Sequence, residues 1–128
     1  VEEFLRLYGV ANVVRIVTAD AEFAGVTLKA GDPVLLMLPA GNYDSKIFSD
    51  PAAFRLDRED KPHLSFNTGP HRCVGSHLAR LELEQFYEEW FSRMPTVNLD
   101  PDEPVIFHTT QTVGVRSLPI VWDAAKAQ

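Results

Sequence analysis

The stretch Phe66-Asn67-Thr68-Gly69-Pro70-His71-Arg72-Cys73-Val74-Gly75 decides how this chain is read, because it carries the only cysteine in the sequence. Gly69 and Pro70 punctuate a loop. That loop delivers Cys73 to the start of a helical pattern running from Ser76 to Trp90. Unpaired backbone N–H groups and the helix dipole favour negative charge at such a position, and a thiolate is both nucleophile and metal ligand. A lone cysteine is more often a small buried residue. Here the flanks weigh against that reading. Gly69 and Gly75 let the backbone approach another group closely. Phe66 can cover a flat ligand, and His71 and Arg72 place polar and positive groups beside the sulfur.

Working outward, the chain has 128 residues, enough for one modest domain with a hydrophobic core. A hydrophobic content of 45% is that of an ordinary soluble protein. A net charge of −6 argues against a general nucleic-acid binder. No apolar run is long enough to span a bilayer, so no membrane association is expected. A single cysteine excludes an internal disulfide framework and a multi-cysteine metal site, which fits a cytoplasmic location. Val1 reads as an internal start, so the sequence carries no targeting information.

In chain order, Val1 to Tyr8 reads as the end of a helix stopped by Gly9, with Glu3 and Arg6 on one face. Val10 to Val17 is β-prone, with Arg15 interrupting an apolar run. Glu22–Leu28 and Asp32–Met37 are expected to pair with each other around Lys29-Ala30-Gly31. Pro39-Ala40-Gly41-Asn42 is expected to break the pattern, and Asp44 to cap a short helix through Ile47 and Phe48. Ala52 to Leu64 is polar and reads as a surface loop. The helix after the cysteine carries Leu78, Leu81, Phe86, Trp90 and Met94 among glutamates, an expected amphipathic helix closing a core and ended by Pro95. Val105–His108 and Val115–Trp122 are expected to form a terminal hairpin with its tip at 109–114, and His108 reads as a surface histidine.

The spacing Phe66-x-x-Gly69-x-His71-x-Cys73-x-Gly75 resembles the haem-binding loop of the cytochrome P450 superfamily, with Asn67 standing where glycine is commonest. Glu3-x-x-Arg6 is similar to the family's other signature. The resemblance runs from Val1 to about Trp122. It implies a mixed α+β fold, mainly helical with small β-sheets, in which residues 1–128 form the C-terminal segment of a single P450 domain. It further implies haem b as cofactor and Cys73 as the axial iron ligand and catalytic residue. The haem would be bound by Cys73, His71, Arg15, Phe66, Gly69, Val74 and Gly75, with Arg15 and His71 on the propionates. Ala11, Asn12, Val13, Gln111 and Thr112 would face substrate. Glu3 and Arg6 would form a buried pair that locks the loop. Many relatives complete that lock with a basic residue where this chain has Ala53, and Arg55 and Arg58 are both candidates to replace it.

The activity implied is a monooxygenase that inserts one oxygen atom of O2 into a C–H bond, served by a ferredoxin-type electron donor for which Arg72 and Arg80 offer positive charge. Arg15-Ile16-Val17-Thr18, Glu22-Phe23-x-Gly25-Val26 and Leu118-Pro119-Ile120-Val121-Trp122 resemble the bacterial soluble camphor-hydroxylase group and suggest a small apolar, terpenoid-like substrate. Asn12, Gln111 and Thr112 are polar for such a pocket, which suggests a substrate carrying an oxygen. The alternatives are a peroxide-driven peroxygenase of the same fold and a haem-binding sensor or electron carrier. On the family pattern the segment alone is not expected to be active.

Overall fold

Two glutamates open a short helix and an arginine closes it, the arrangement that the helix dipole favours. This is α1, Glu2–Leu7, with Tyr8 as its C-cap. The computed structural model describes residues 1–58, 62–94, 96–110 and 112–126. Glu59, Asp60 and Lys61 of the surface loop, Pro95 and Gln111 therefore lie outside the described residues. After α1 come β1 (Val13–Ile16), β2 (Ala21–Phe23), β3 (Val26–Leu28), β4 (Pro33–Leu36) and the short α2 (Leu38–Gly41). A long irregular segment leads to a 3-10 turn at Gly69–His71 and then to the 18-residue α3, Ser76–Arg93. The tail holds β5 (Val97–Leu99), β6 (Ile106–Thr109), β7 (Val113–Ser117) and β8 (Ile120–Trp122). Among the described residues no helix is long and apolar enough to cross a membrane.

The pairing differs from the sequence expectation in three places. First, Glu22–Leu28 is itself a hairpin: β2 pairs with β3, while β4 pairs antiparallel with β1, Arg15 opposite Val34. The reason is a tight turn with positive φ at both Ala24 (49°) and Gly25 (80°), the backbone that suits the twist of a two-residue hairpin. Alanine is a poor signal for that conformation. Second, the terminal hairpin is β6 with β7 only, and β8 returns to pair with β5. Pro119 has no N–H and stands between the two strands, so the run cannot continue as one ladder. Third, Pro39 lies within the first residues of a helical turn, where its missing N–H has no intrahelical partner to lose. Asp44 does cap through its side chain to the Lys46 N–H (2.8 Å), but over a single turn rather than a helix.

Among the described residues the buried apolar side chains are Leu7, Leu38 and Phe48, together with buried Arg6, Asn42 and Ser76. α3 is not the amphipathic helix the sequence suggested. Leu78, Leu81 and Phe86 are exposed, and Trp90 and Met94 are half-buried. Its apolar side chains are not gathered on one face, and α1 meets it where Phe4 stacks on Tyr87 at 4.9 Å.

Asn42 ties this core together. Its Nδ2 donates to the Arg6 carbonyl and to Ser65 Oγ, both at 2.9 Å, and its Oδ1 accepts the Leu64 N–H at 2.7 Å. Ser65 Oγ donates in turn to the Leu5 carbonyl. A fully paired buried amide specifies one arrangement, because any shift would strand its donors. Two glycines make room for it. A Cβ on Gly9 would meet Ser65 Oγ at 2.7 Å, and one on Gly41 would meet Leu64 Cδ1 at 2.7 Å. The segment entering the cysteine loop is thereby pinned against α1 and α2.

Candidate functional site

The cysteine loop leaves that anchor at Leu64–Phe66 and turns back on itself. Asn67 adopts a left-handed φ of 59° and Gly69 one of 63°. Asparagine is among the non-glycine residues that best tolerate this region. Here the Asn67 Oδ1 also accepts the Thr68 N–H at 2.8 Å. The reversal brings Cys73 beside Phe66, whose carbonyl accepts the Cys73 N–H at 2.8 Å. Cys73 is a free, exposed thiol just before Gly75, the N-cap of α3. A Cβ on Gly75 would lie 3.8 Å from the Cys73 Sγ, so the backbone passes close to the sulfur. Val74 is 99% exposed and Phe66 is half-buried. The loop thus carries an exposed thiol next in sequence to exposed Val74, with its backbone hydrogen-bonded to Phe66.

His71 is exposed in the 3-10 turn. Arg15 is exposed on β1, where its Nη1 donates to the Val14 carbonyl at 2.9 Å. No carboxylate of the described residues pairs with it. Its guanidinium remains available for an anion.

The two stretches expected to face substrate come together. Ala11 forms an isolated antiparallel bridge with Thr112, and the Val113 N–H donates to the Val10 carbonyl at 2.9 Å. Ala11, Asn12 and Val13 are half-buried and Thr112 is exposed. Gln111, expected beside them, lies outside the described residues. His108 is exposed and packs its ring over Gly114 across the β6–β7 pair.

Glu3 and Arg6 form a two-pronged ion pair, with Nε to Oε2 and Nη2 to Oε1 both at 2.8 Å. Their side chains are 9% and 2% exposed. Arg6 Nη1 donates to the carbonyls of Asn42 and Pro51, each at 2.8 Å, and the guanidinium lies 5.1 Å from the Phe48 ring centroid. The Arg6 hydrogen bonds, aided by the Arg55 N–H and by Arg58, hold the Glu3 carboxyl at about 2, well below the usual range.

The place left by Ala53 is taken by Arg58. Its Nε donates to Glu3 Oε1 at 3.1 Å, and its side chain is 8% exposed. It also donates to the carbonyls of Ser49, Asp50 and Ala53. Arg55 gives Glu3 only its backbone N–H and turns its guanidinium to Asp57. Arg58→Gln should therefore cost about 1.5–3 kcal/mol, the range for hydrogen bonds to charged groups. Arg55→Gln should stay within about 0.5 kcal/mol, as for an exposed surface change. Chemical denaturation of the two variants side by side measures this, and equal costs would remove Arg58 from the lock.

Sequence reasoning missed several contributors. Glu2 binds Arg80 through both carboxylate oxygens, at 2.7 and 3.0 Å, and His63 at 3.1 Å. Arg80 is consequently not a free positive charge for a partner; of the two arginines expected there, Arg72 is the exposed one. These partners lie 61 and 78 residues apart in sequence, so no local spacing could reveal them.

A family profile described as cytochrome P450 matches residues 1–122. A steroid C26-monooxygenase of Mycolicibacterium smegmatis is 40% identical over 124 residues, covering 95% of this chain and 31% of the relative. A vitamin D3 dihydroxylase of Streptomyces griseolus is 37% identical over 126 residues, again covering 95% and 31%. In three dimensions the chain is similar to the crystal structure of cytochrome P450 CYP101C1. The TM-score is 0.91 at 38% identity, over 96% of this chain and 32% of that one. The chain spans about a third of the length of the relatives it matches.

Proposed function

The chain belongs to the cytochrome P450 family, and on that premise we propose that residues 1–128 are the C-terminal segment of a haem-thiolate monooxygenase in which Cys73 is the axial iron ligand. Its helices and small sheets follow part of the P450 fold. The observation that carries the reading is the free, exposed Cys73 thiol at the head of an 18-residue helix, flanked by Phe66 and Val74. The donor set fits haem b. One soft sulfur ligand is offered, and among the described residues no group of three or more His, Cys, Asp or Glu side chains is arranged to hold a metal ion.

When bound through a thiolate, haem supplies the electron push that favours O–O cleavage. One atom of dioxygen enters a substrate C–H bond and the other leaves as water, with two electrons from a ferredoxin-type donor and two protons. In this reading Phe66, Val74 and the backbone at Gly69 and Gly75 would help hold the haem. Arg15 and His71 hold the propionates, a task suited to a guanidinium with no competing carboxylate. Exposed Arg72 contributes to the donor's landing site, and the protein works in the cytoplasm.

Ala11, Asn12, Val13, Gln111 and Thr112 form part of the substrate wall. The Ala11–Thr112 bridge supports treating them as one surface. Ala11 and Val13 are apolar and Asn12, Gln111 and Thr112 are polar, so the set can meet an apolar ligand and orient an oxygen on it. We assign a compact oxygenated terpenoid, such as an ionone or cyclic ketone. The relatives' names favour a second reading, a steroid-sized substrate.

The test adds compact terpenoid ketones, a steroid and long-chain fatty acids to the intact ferric protein. A low-to-high spin shift with the compact ketones is expected. A shift with the steroid alone selects the second reading, and tight binding of fatty acids alone defeats both. Turnover with labelled dioxygen should put the label in the product. Product formed with peroxide only would identify a peroxygenase, and no turnover or spin shift with any compound would indicate a sensor or electron carrier.

A further inference from the structure

The two glutamates that open α1 face different tasks. Glu3 serves the buried lock, whereas Glu2 reaches across to the elements on either side of the cysteine loop. Its two oxygens take Arg80 Nε at 2.7 Å and Nη2 at 3.0 Å, while Oε2 also meets His63 Nε2 at 3.1 Å. Arg80 Nη1 donates to the Ser76 carbonyl at 3.2 Å, and its guanidinium lies over the Phe66 ring, 4.8 Å from the centroid. His63 is 5% exposed and sits beside the same ring, with centroids 6.1 Å apart. Its Nδ1 accepts the Ser65 N–H, and its Nε2 faces the Glu2 carboxylate. The Arg80 hydrogen bonds draw the Glu2 carboxyl below its ordinary range, with a smaller contribution from His63.

An ordinary surface ion pair contributes little to stability. This one differs in form. A two-pronged carboxylate fixes the plane of a guanidinium, and the fixed plane stacks on an aromatic face. Phe66 is also the residue whose carbonyl holds the Cys73 N–H at 2.8 Å.

We propose that Glu2, Arg80 and His63 are positioning residues for the cysteine loop: Glu2 orients Arg80 over the Phe66 ring and His63 beside it, and Phe66 holds the backbone of Cys73. The proposal rests on the reading of Cys73 as the iron ligand.

The experiment follows the carbon monoxide complex of the intact reduced protein, whose red-shifted band reports thiolate ligation. Conversion to the form that has lost the thiolate is timed for wild type, Glu2→Gln, Arg80→Lys and the double variant, with Asp20→Asn as a control. The Asp20–Lys29 pair is exposed on both sides and lies at the β2–β3 hairpin, whose hydrogen bonds among the described residues do not involve the cysteine loop. Arg80→Lys keeps the charge but loses the planar fork, and it should convert about fivefold faster than wild type. Glu2→Gln should match it, and the double variant should be no faster than either single, the mark of residues acting as one unit. The control should convert at the wild-type rate. A purely structural role would lower the melting temperature and speed conversion through unfolding, so melting is recorded in parallel and should change little. Singles at the wild-type rate, additive effects in the double variant, or conversion that only tracks melting would overturn the positioning role and leave Cys73 as ligand. A wild-type protein with no thiolate band would overturn both.

Discussion

Glu3→Ala should leave little soluble haem-loaded protein. Removing the carboxylate strands the Arg6 guanidinium, 2% exposed, among carbonyls with no opposing charge. Breaking a buried ion pair from one side costs about 3–5 kcal/mol, a large share of a domain's net stability. Arg58 loses its charged acceptor at the same time. The same pair makes the protein acid-sensitive. The folded Glu3 carboxyl lies at about 2, held there by Arg6 first and by the Arg55 N–H and Arg58 after it. A depressed folded value means stabilisation that is complete above the unfolded value, near 4.3. That stabilisation is lost as the pH falls from there towards 2, and its size is about 3 kcal/mol. Denaturation midpoints measured from pH 6 to pH 3 should fall in wild type, and this part of the slope should be missing in Glu3→Gln. A Glu3→Ala protein that expresses, binds haem and melts like wild type would show that the pair does not hold the loop.

The features legible in the sequence are the ones encoded locally. Cys73 at a helix start, the i, i+3 spacing of Glu3 and Arg6, and the turn residues of the cysteine loop can each be read within a dozen positions. The β2–β3 hairpin was hidden because Ala24 takes a left-handed backbone that its identity does not signal. The β5–β8 pair joins strands some twenty residues apart with a hairpin between them, which no local pattern signals. Asn42 looked like a turn residue, yet it joins Arg6 and Leu64, 36 and 22 positions away. The choice between Arg55 and Arg58 depended on which side chain could turn inward, and only the folded backbone decides that. α3 looked amphipathic from its glutamates, but its apolar and charged residues do not segregate cleanly to opposite faces.

Cys73→Ala should abolish thiolate ligation altogether, because the loop contains the chain's only sulfur donor of that kind. Alanine fits the same exposed position, so the fold around the loop should persist: the Phe66 carbonyl still takes the backbone N–H of residue 73, and the Asn42 and Arg6 contacts do not involve the thiol. The loss should be of iron ligation and hence of turnover, with the melting behaviour of the haem-free protein little changed. Haem iron without the thiolate lacks the electron push that favours O–O cleavage. The decisive measurement is the absorption spectrum of the reduced, carbon monoxide-bound intact protein. Wild type should give the strongly red-shifted band of a thiolate-ligated haem and Cys73→Ala should not; the same red-shifted band in Cys73→Ala would contradict the account.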